Sequence, residues 1–164
     1  MFDATSNHGG MLDQVIGHAL VAVSGAPLPN ELQGEQGVLA ALEMTGNLAV
    51  FNAEQSAQKG TSVPSGIGIA SGEMIAGYTG MQRSATYTCV GDTVNLAARI
   101  EAHAKVAGRS ILLDETTRNG LPPTISVERL GAVQFKGKQQ VVEIFSLRNR
   151  SSGLPELGPA ASGG

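Results

Sequence analysis

From Asn30 onward apolar side chains recur at Val38, Leu39, Leu42, Leu48, Ala49 and Phe51, the spacing of one face of a helix. Glu31 and Glu35 fall near its positive end and Asn30 is placed to cap it, which predicts a long helix over roughly 31–57, weakened by Gly34, Gly37 and Gly46. Leu96, Ala97, Ile100 and Ala104 define a second helical face, predicting a helix over Val94–Ala104. Between these the pattern is extended. Met11–Ile16 and Ala19–Val23 read as two strands about a tight turn at Gly17-His18. Val63–Ala70 and Met74–Tyr78 read as a second hairpin joined by Ser71-Gly72-Glu73, and Ala85–Val90 is extended. Ile111–Leu113 predicts a short strand, Asp114–Asn119 a one-turn helix capped by Asp114, and Val127–Phe135 with Val141–Leu147 a last hairpin around Lys136-Gly137-Lys138. Residues 1–10 are polar and close on Gly9-Gly10, as at the end of an element followed by a turn. The expectation is an α+β domain over 1–150, one compact sheet with two main helices, and a disordered Gly/Pro/Ser/Ala tail over 151–164.

Composition narrows the function. Lys and Arg number 11 against 14 Asp and Glu, a net charge of −3, so the basic surface a general nucleic-acid binder needs is missing. Four Phe, two Tyr and no Trp leave little for base-stacking platforms. The single cysteine, Cys89, excludes an intramolecular disulfide and a cysteine-based zinc site, and fits a reducing compartment. The richest apolar run, Ala19–Val23, is far short of the roughly 18 residues of a membrane span. With no basic leader before an apolar stretch, the expected location is cytoplasmic.

Gly66-x-Gly68-x-x-x-Gly72 is not read as a dinucleotide-binding loop, because those glycines lie in and after a strand that leads to another strand rather than to a helix. His8, His18 and His103 lack the spacing that would place ligands on one helical face. The informative stretch is Tyr87-Thr88-Cys89-Val90-Gly91-Asp92-Thr93-Val94-Asn95-Leu96-Ala97-Ala98-Arg99-Ile100-Glu101. Asn95 and Arg99, four apart on the predicted helix, point the same way. A guanidinium fork suits phosphoryl oxygens and an amide can orient a ribose oxygen, although spacing alone also fits a solvated helix face.

This stretch, preceded by Gly68-Ile69-Ala70-Ser71-Gly72-Glu73, resembles the class III nucleotidyl cyclase catalytic domain, the adenylate and guanylate cyclase family. The resemblance runs from about His8-Gly9-Gly10 to Leu147 and includes Gly25-Ala26-Pro27, Ala40-Ala41-Leu42-Glu43-Met44 and Phe135-Lys136-Gly137-Lys138. It implies a ferredoxin-like antiparallel sheet with helices packed on one face, acting as a homodimer or as a heterodimer with another cyclase domain. It also implies conversion of ATP, less readily GTP, to the cyclic nucleotide and pyrophosphate, with Mg2+ or Mn2+ held by two aspartates. Residue by residue, it gives Asn95 the ribose, Arg99 the charge on the transferring phosphate, Thr88 and Gln14 the purine edge, and Lys136 the terminal phosphates.

The departures from the pattern carry their own expectations. The family's first strand, bearing one metal aspartate, has no counterpart, and its absence would leave unpaired backbone on both neighbouring strands. At the second metal position, after Ile16-Gly17, stands His18; a neutral imidazole cannot bridge two ions as a carboxylate does. Gln14 stands where the family pattern has a purine-reading lysine. The expected function is therefore a cyclase domain weak or inactive alone, a partner of an intact cyclase chain, or a non-catalytic nucleotide-sensing and dimerisation module.

Overall fold

The computed structural model describes residues 2–16, 19–28, 30–58, 60–80 and 86–147. The tail over 151–164 and the turn at Gly17-His18 lie outside them. A short helix α1 (Phe2–Asn7) leads into β1 (Gly10–Ile16) and β2 (Ala19–Ser24), followed by the long helix α2 (Gln33–Ala57) and β3 (Ile67–Ile69). Next come β4 (Ile75–Thr79), β5 (Thr86–Val90), α3 (Asp92–Ala107), β6 (Ile111–Asp114), α4 (Glu115–Asn119), β7 (Val127–Val133) and β8 (Val142–Leu147).

The α+β class and both main helices agree with the sequence pattern, but the sheet is divided. Among the described residues β1 pairs antiparallel with β2, β4 with β5, and a four-stranded sheet runs β3-β6-β8-β7. The hairpin expected across Ser71-Gly72-Glu73 does not form: β3 pairs in parallel with β6, Ile67 against Ile111 and Ile69 against Leu113, while β4 turns away to pair with β5. A long-range parallel partner is invisible to local periodicity, which sees only two extended runs and a turn-rich linker. Among the described residues β2 is bonded on one side only, to β1, and β3 on one side only, to β6.

Asn30 does not cap α2. Its Oδ1 accepts from the Leu32 amide at 2.9 Å, an Asx turn that brings the chain into a helix whose N-cap is Leu32. Asp114 does cap α4, accepting from the Thr117 amide at 2.9 Å.

Helix α3 is the element on which the site depends, and three features hold it. Its buried face, Leu96, Ile100 and Ala104, packs with Leu112, Phe135 and Ile144 in the main core, where each large side chain contributes about 1.5–3 kcal/mol. Its C-terminus closes in a Schellman motif: Gly108 is left-handed at φ 63°, the Arg109 amide donates to Ala104 O at 3.0 Å, and the Gly108 amide donates to Lys105 O at 3.4 Å. Its flank rests directly on β3 at Gly68, where a Cβ would stand 2.2 Å from Ala97 O and 2.3 Å from Glu101 N. Gly66 and Gly68 are thus the small residues over which the helix crosses the strand, a packing role and not a phosphate loop.

Candidate functional site

Because α3 repeats every 3.6 residues, Asn95 and Arg99 lie on one side of it while Leu96 and Ile100 face the core. The same row continues to His103, a position that sequence reading passed over because the histidines were compared only with one another. Asn95 is exposed and Arg99 half-buried, and the η1 nitrogen of Arg99 is buried with no hydrogen-bond partner. A guanidinium nitrogen withdrawn from water without an acceptor is costly, and it marks a place where an anion would be favoured.

The loop after β7 closes over this side of the helix. Phe135 is buried in the core and meets His103 edge-on, ring centroids 5.9 Å apart. Gly137 adopts φ 80°, a conformation that favours glycine, and a Cβ there would lie 3.5 Å from Arg99 Nη2. The turn is braced within itself: the Lys138 amide donates to Phe135 O at 3.1 Å, and the Gln134 side-chain amide donates to Lys138 O at 2.5 Å. It is tied to the start of α3 by an ion pair between Lys138 Nζ and Asp92 Oδ2. The two lysines of the loop are thereby separated in role: Lys138 fastens the loop, while Lys136 stays exposed and makes no ion pair among the described residues.

Arg99, Ala102, His103, Val106, Phe135 and Lys136 line an open cavity of about 310 Å³. Its wall carries two fixed positive charges and one imidazole and no carboxylate, on a largely apolar floor, which suits a polyanion. Arg99 and Lys136 are thus brought together, with Asn95 one turn earlier on the same row and outside the wall.

Gln14 and Thr88 form a second group, on β1 and β5. A bulge interrupts β1, where Leu12 pairs with Ala22 and Gln14 with Val21, leaving Asp13 unpaired in the register. Asp13 Oδ1 instead accepts from the Cys89 amide at 3.1 Å, so the residue before Gln14 is bonded to the residue after Thr88. Sequence reading missed Asp13, since a lone acid in a strand carries no signal until the bulge turns it.

Cys89 is 1% exposed; burial first, and the nearby Asp13 charge second, push its thiol above the ordinary 9.0. Below that raised value the group is a neutral thiol. Cys89 is therefore expected to react with a thiol-specific disulfide reagent at pH 8 about a hundredfold more slowly in the folded protein than in guanidinium, as followed by absorbance. The same linkage removes stability as pH rises from about 9 through the raised folded value, because the unfolded thiol gives up its proton first.

Among the described residues no group of three or more His, Cys, Asp or Glu is arranged to hold a metal ion. His18, the one metal ligand that sequence reading offered, lies outside the described residues. The described cavity wall, with Arg99, His103 and Lys136, offers no carboxylate to a hard divalent ion. No helix among the described residues is long and apolar enough to cross a membrane.

Comparison with known proteins places the chain among relatives. Adenylate cyclase of Anabaena cylindrica is 33% identical over 155 residues, and adenylate cyclase 1 of Rhizobium meliloti is 27% identical over 161. The alignments cover 90% and 97% of this chain but only 30% and 24% of those proteins' lengths, so the chain spans about a third or less of each. The crystal structure of the guanylyl cyclase Cya2 superposes with a TM-score of 0.79 at 28% identity, over 88% of this chain and 73% of that one. Residues 3–149 match the adenylate and guanylate cyclase catalytic domain, and the chain belongs to that family.

Proposed function

We propose that this chain is the nucleotide-holding half of a dimeric class III cyclase site, taking ATP in preference to GTP and turning over little by itself. The observation that carries the reading is the buried, partnerless Nη1 of Arg99 beside Lys136 in an open cavity. The family binds nucleoside triphosphates, acts as dimers and generally uses a divalent metal.

In the working reaction the ribose 3′ oxygen forms a bond to the α-phosphorus, the bond to the pyrophosphate breaks, and the hydroxyl proton passes to solvent. Arg99 would meet the charge growing on the transferring phosphoryl group from a half-buried position, where a fork of donors is stronger than in water. Asn95, one turn away, would hold the ribose, and Lys136 at the rim would meet the terminal phosphates. Gln14 and Thr88 would read the purine edge, neither bringing a charge. The carboxylates that hold metal in the family would come from a second chain, with His18 at one of those positions here.

A dimer is supported by the β4–β5 ribbon. Ile75 and Tyr78 are 75% and 77% exposed and Val90 on β5 is 53% exposed, on a two-stranded element of a kind that is marginal without a partner.

The test is a cyclase assay with ATP and with GTP in manganese, on the chain alone and mixed with an intact family member whose own Asn and Arg equivalents are replaced. With His18 at a metal carboxylate's position, the chain alone is expected at least about a thousandfold below an intact cyclase, while the mixture regains activity. Full turnover by the chain alone, abolished by Asn95→Ala, would show a metal site of its own and overturn the division of labour. ATP binding that never yields product in any mixture would favour a sensing module.

A further inference from the structure

We propose that Asp13 is a positioning residue for base recognition, clamping β1 to β5 and so setting the gap between Gln14 and Thr88. The inference rests on the reading of Gln14 and Thr88 as the purine-facing pair.

Its grounds are geometric. Asp13 is the extra residue of the β1 bulge, with no partner on β2, and its Oδ1 takes the Cys89 amide across to β5 at 3.1 Å. Among the described residues this is the one hydrogen bond joining those two strands, which belong to separate sheets. Cys89 itself pairs with Ala76 and Thr88 with Gly77, so the ribbon's own register fixes Thr88 relative to β4 but not relative to β1. Among the described residues the Asp13 bond is the hydrogen bond that ties it to β1. The other carboxylate oxygen, Oδ2, is buried with no partner. Holding the carboxylate there, with one oxygen on a backbone amide of another sheet and the other buried without a partner, costs desolvation that the bond across the two strands must offset.

The experiment is a titration of the full chain with fluorescent ATP and GTP analogues, in parallel for Asp13→Ala, Asp13→Asn, Gln14→Ala and Thr88→Val. Asp13→Ala is expected to weaken ATP binding about tenfold, one hydrogen bond's worth, and to draw the ATP-to-GTP ratio toward one. Asp13→Asn, which keeps the acceptor, restores both to within about threefold. A merely structural role would lower both affinities together along with the melting temperature and leave their ratio unchanged. If Gln14→Ala and Thr88→Val weaken binding while Asp13→Ala leaves affinity and ratio as in the parent, the clamp is wrong and the site stands; if neither of those two variants alters binding, the purine-facing reading itself has failed. Should Asp13→Ala not fold, amide exchange in the parent decides: a Cys89 amide exchanging as fast as that of an open strand edge rules out the clamp, and a protected one supports it.

Discussion

An Arg99→Ala chain is expected to bind a fluorescent ATP analogue about a hundredfold more weakly than the parent while melting at the same temperature or slightly higher. The first half follows from the loss of two charge-assisted hydrogen bonds to phosphate, about 3 kcal/mol together. The second follows from what Arg99 does in the unliganded fold: its Nη1 is buried without an acceptor, and it makes no ion pair among the described residues. Removing it relieves a desolvated cation and breaks nothing. Activity of the mixed dimer should fall about a thousandfold, as when one preorganised donor to a developing oxyanion is lost. Arg99→Lys should recover part of the binding but less of the rate, because an ammonium supplies charge without the planar fork. Unchanged affinity with unchanged melting would mean that the cavity beside Phe135 and Lys136 is not where the phosphates lie.

The second large effect belongs to Gly68, outside any contact with nucleotide. A methyl group there collides with two backbone atoms of α3, Ala97 O at 2.2 Å and Glu101 N at 2.3 Å, neither of which can rotate away. Gly68→Ala is therefore expected to cost about 3 kcal/mol, at the upper end of overpacking, and to lower the melting temperature by roughly 10 °C. Whatever fraction stays folded must lift α3 off β3, carrying Asn95 and Arg99 with it. A displacement of about 1 Å at such groups is enough to lose on the order of a hundredfold in rate. Gly46→Ala is the matched control: in the interior of α2, with nothing within 4 Å of the new methyl, it should stabilise by about 0.5–1 kcal/mol. Thermal unfolding of the two variants side by side separates close approach from helix propensity. Equal small shifts would refute the packing role of Gly68.

These two residues also show what could be read in the chain beforehand. The row of Asn95 and Arg99 was legible because helical periodicity is local, and Leu96 and Ile100 fix which way it faces. The pairing of Arg99 with Lys136 followed from the family resemblance, not from spacing, since the residues meet only when the loop after β7 folds over α3. The glycines at 66 and 68 were correctly excluded as a nucleotide loop, yet their use as a crossing point needed β3 to find β6 in parallel, a contact between Ile67 and Ile111 that no window of sequence contains. The Asp13 bond was hidden for the same reason: it depends on a bulge and on a partner at Cys89. Local pattern specified the two main helices and the first and last hairpins, while the middle hairpin was misassigned; partners distant along the chain brought the candidate residues together.

The strands β2 and β3, each hydrogen-bonded along one side only among the described residues, have a colloidal consequence. Open strand edges are templates for further pairing, so the isolated chain should self-associate with rising concentration through backbone contacts unrelated to the proposed dimer. Such aggregates would be insensitive to nucleotide and would persist in high salt, where a charge-guided dimer weakens. A sedimentation profile of this protein is consequently expected to report two kinds of assembly, and an ATP response is what would set the proposed dimer apart from edge pairing.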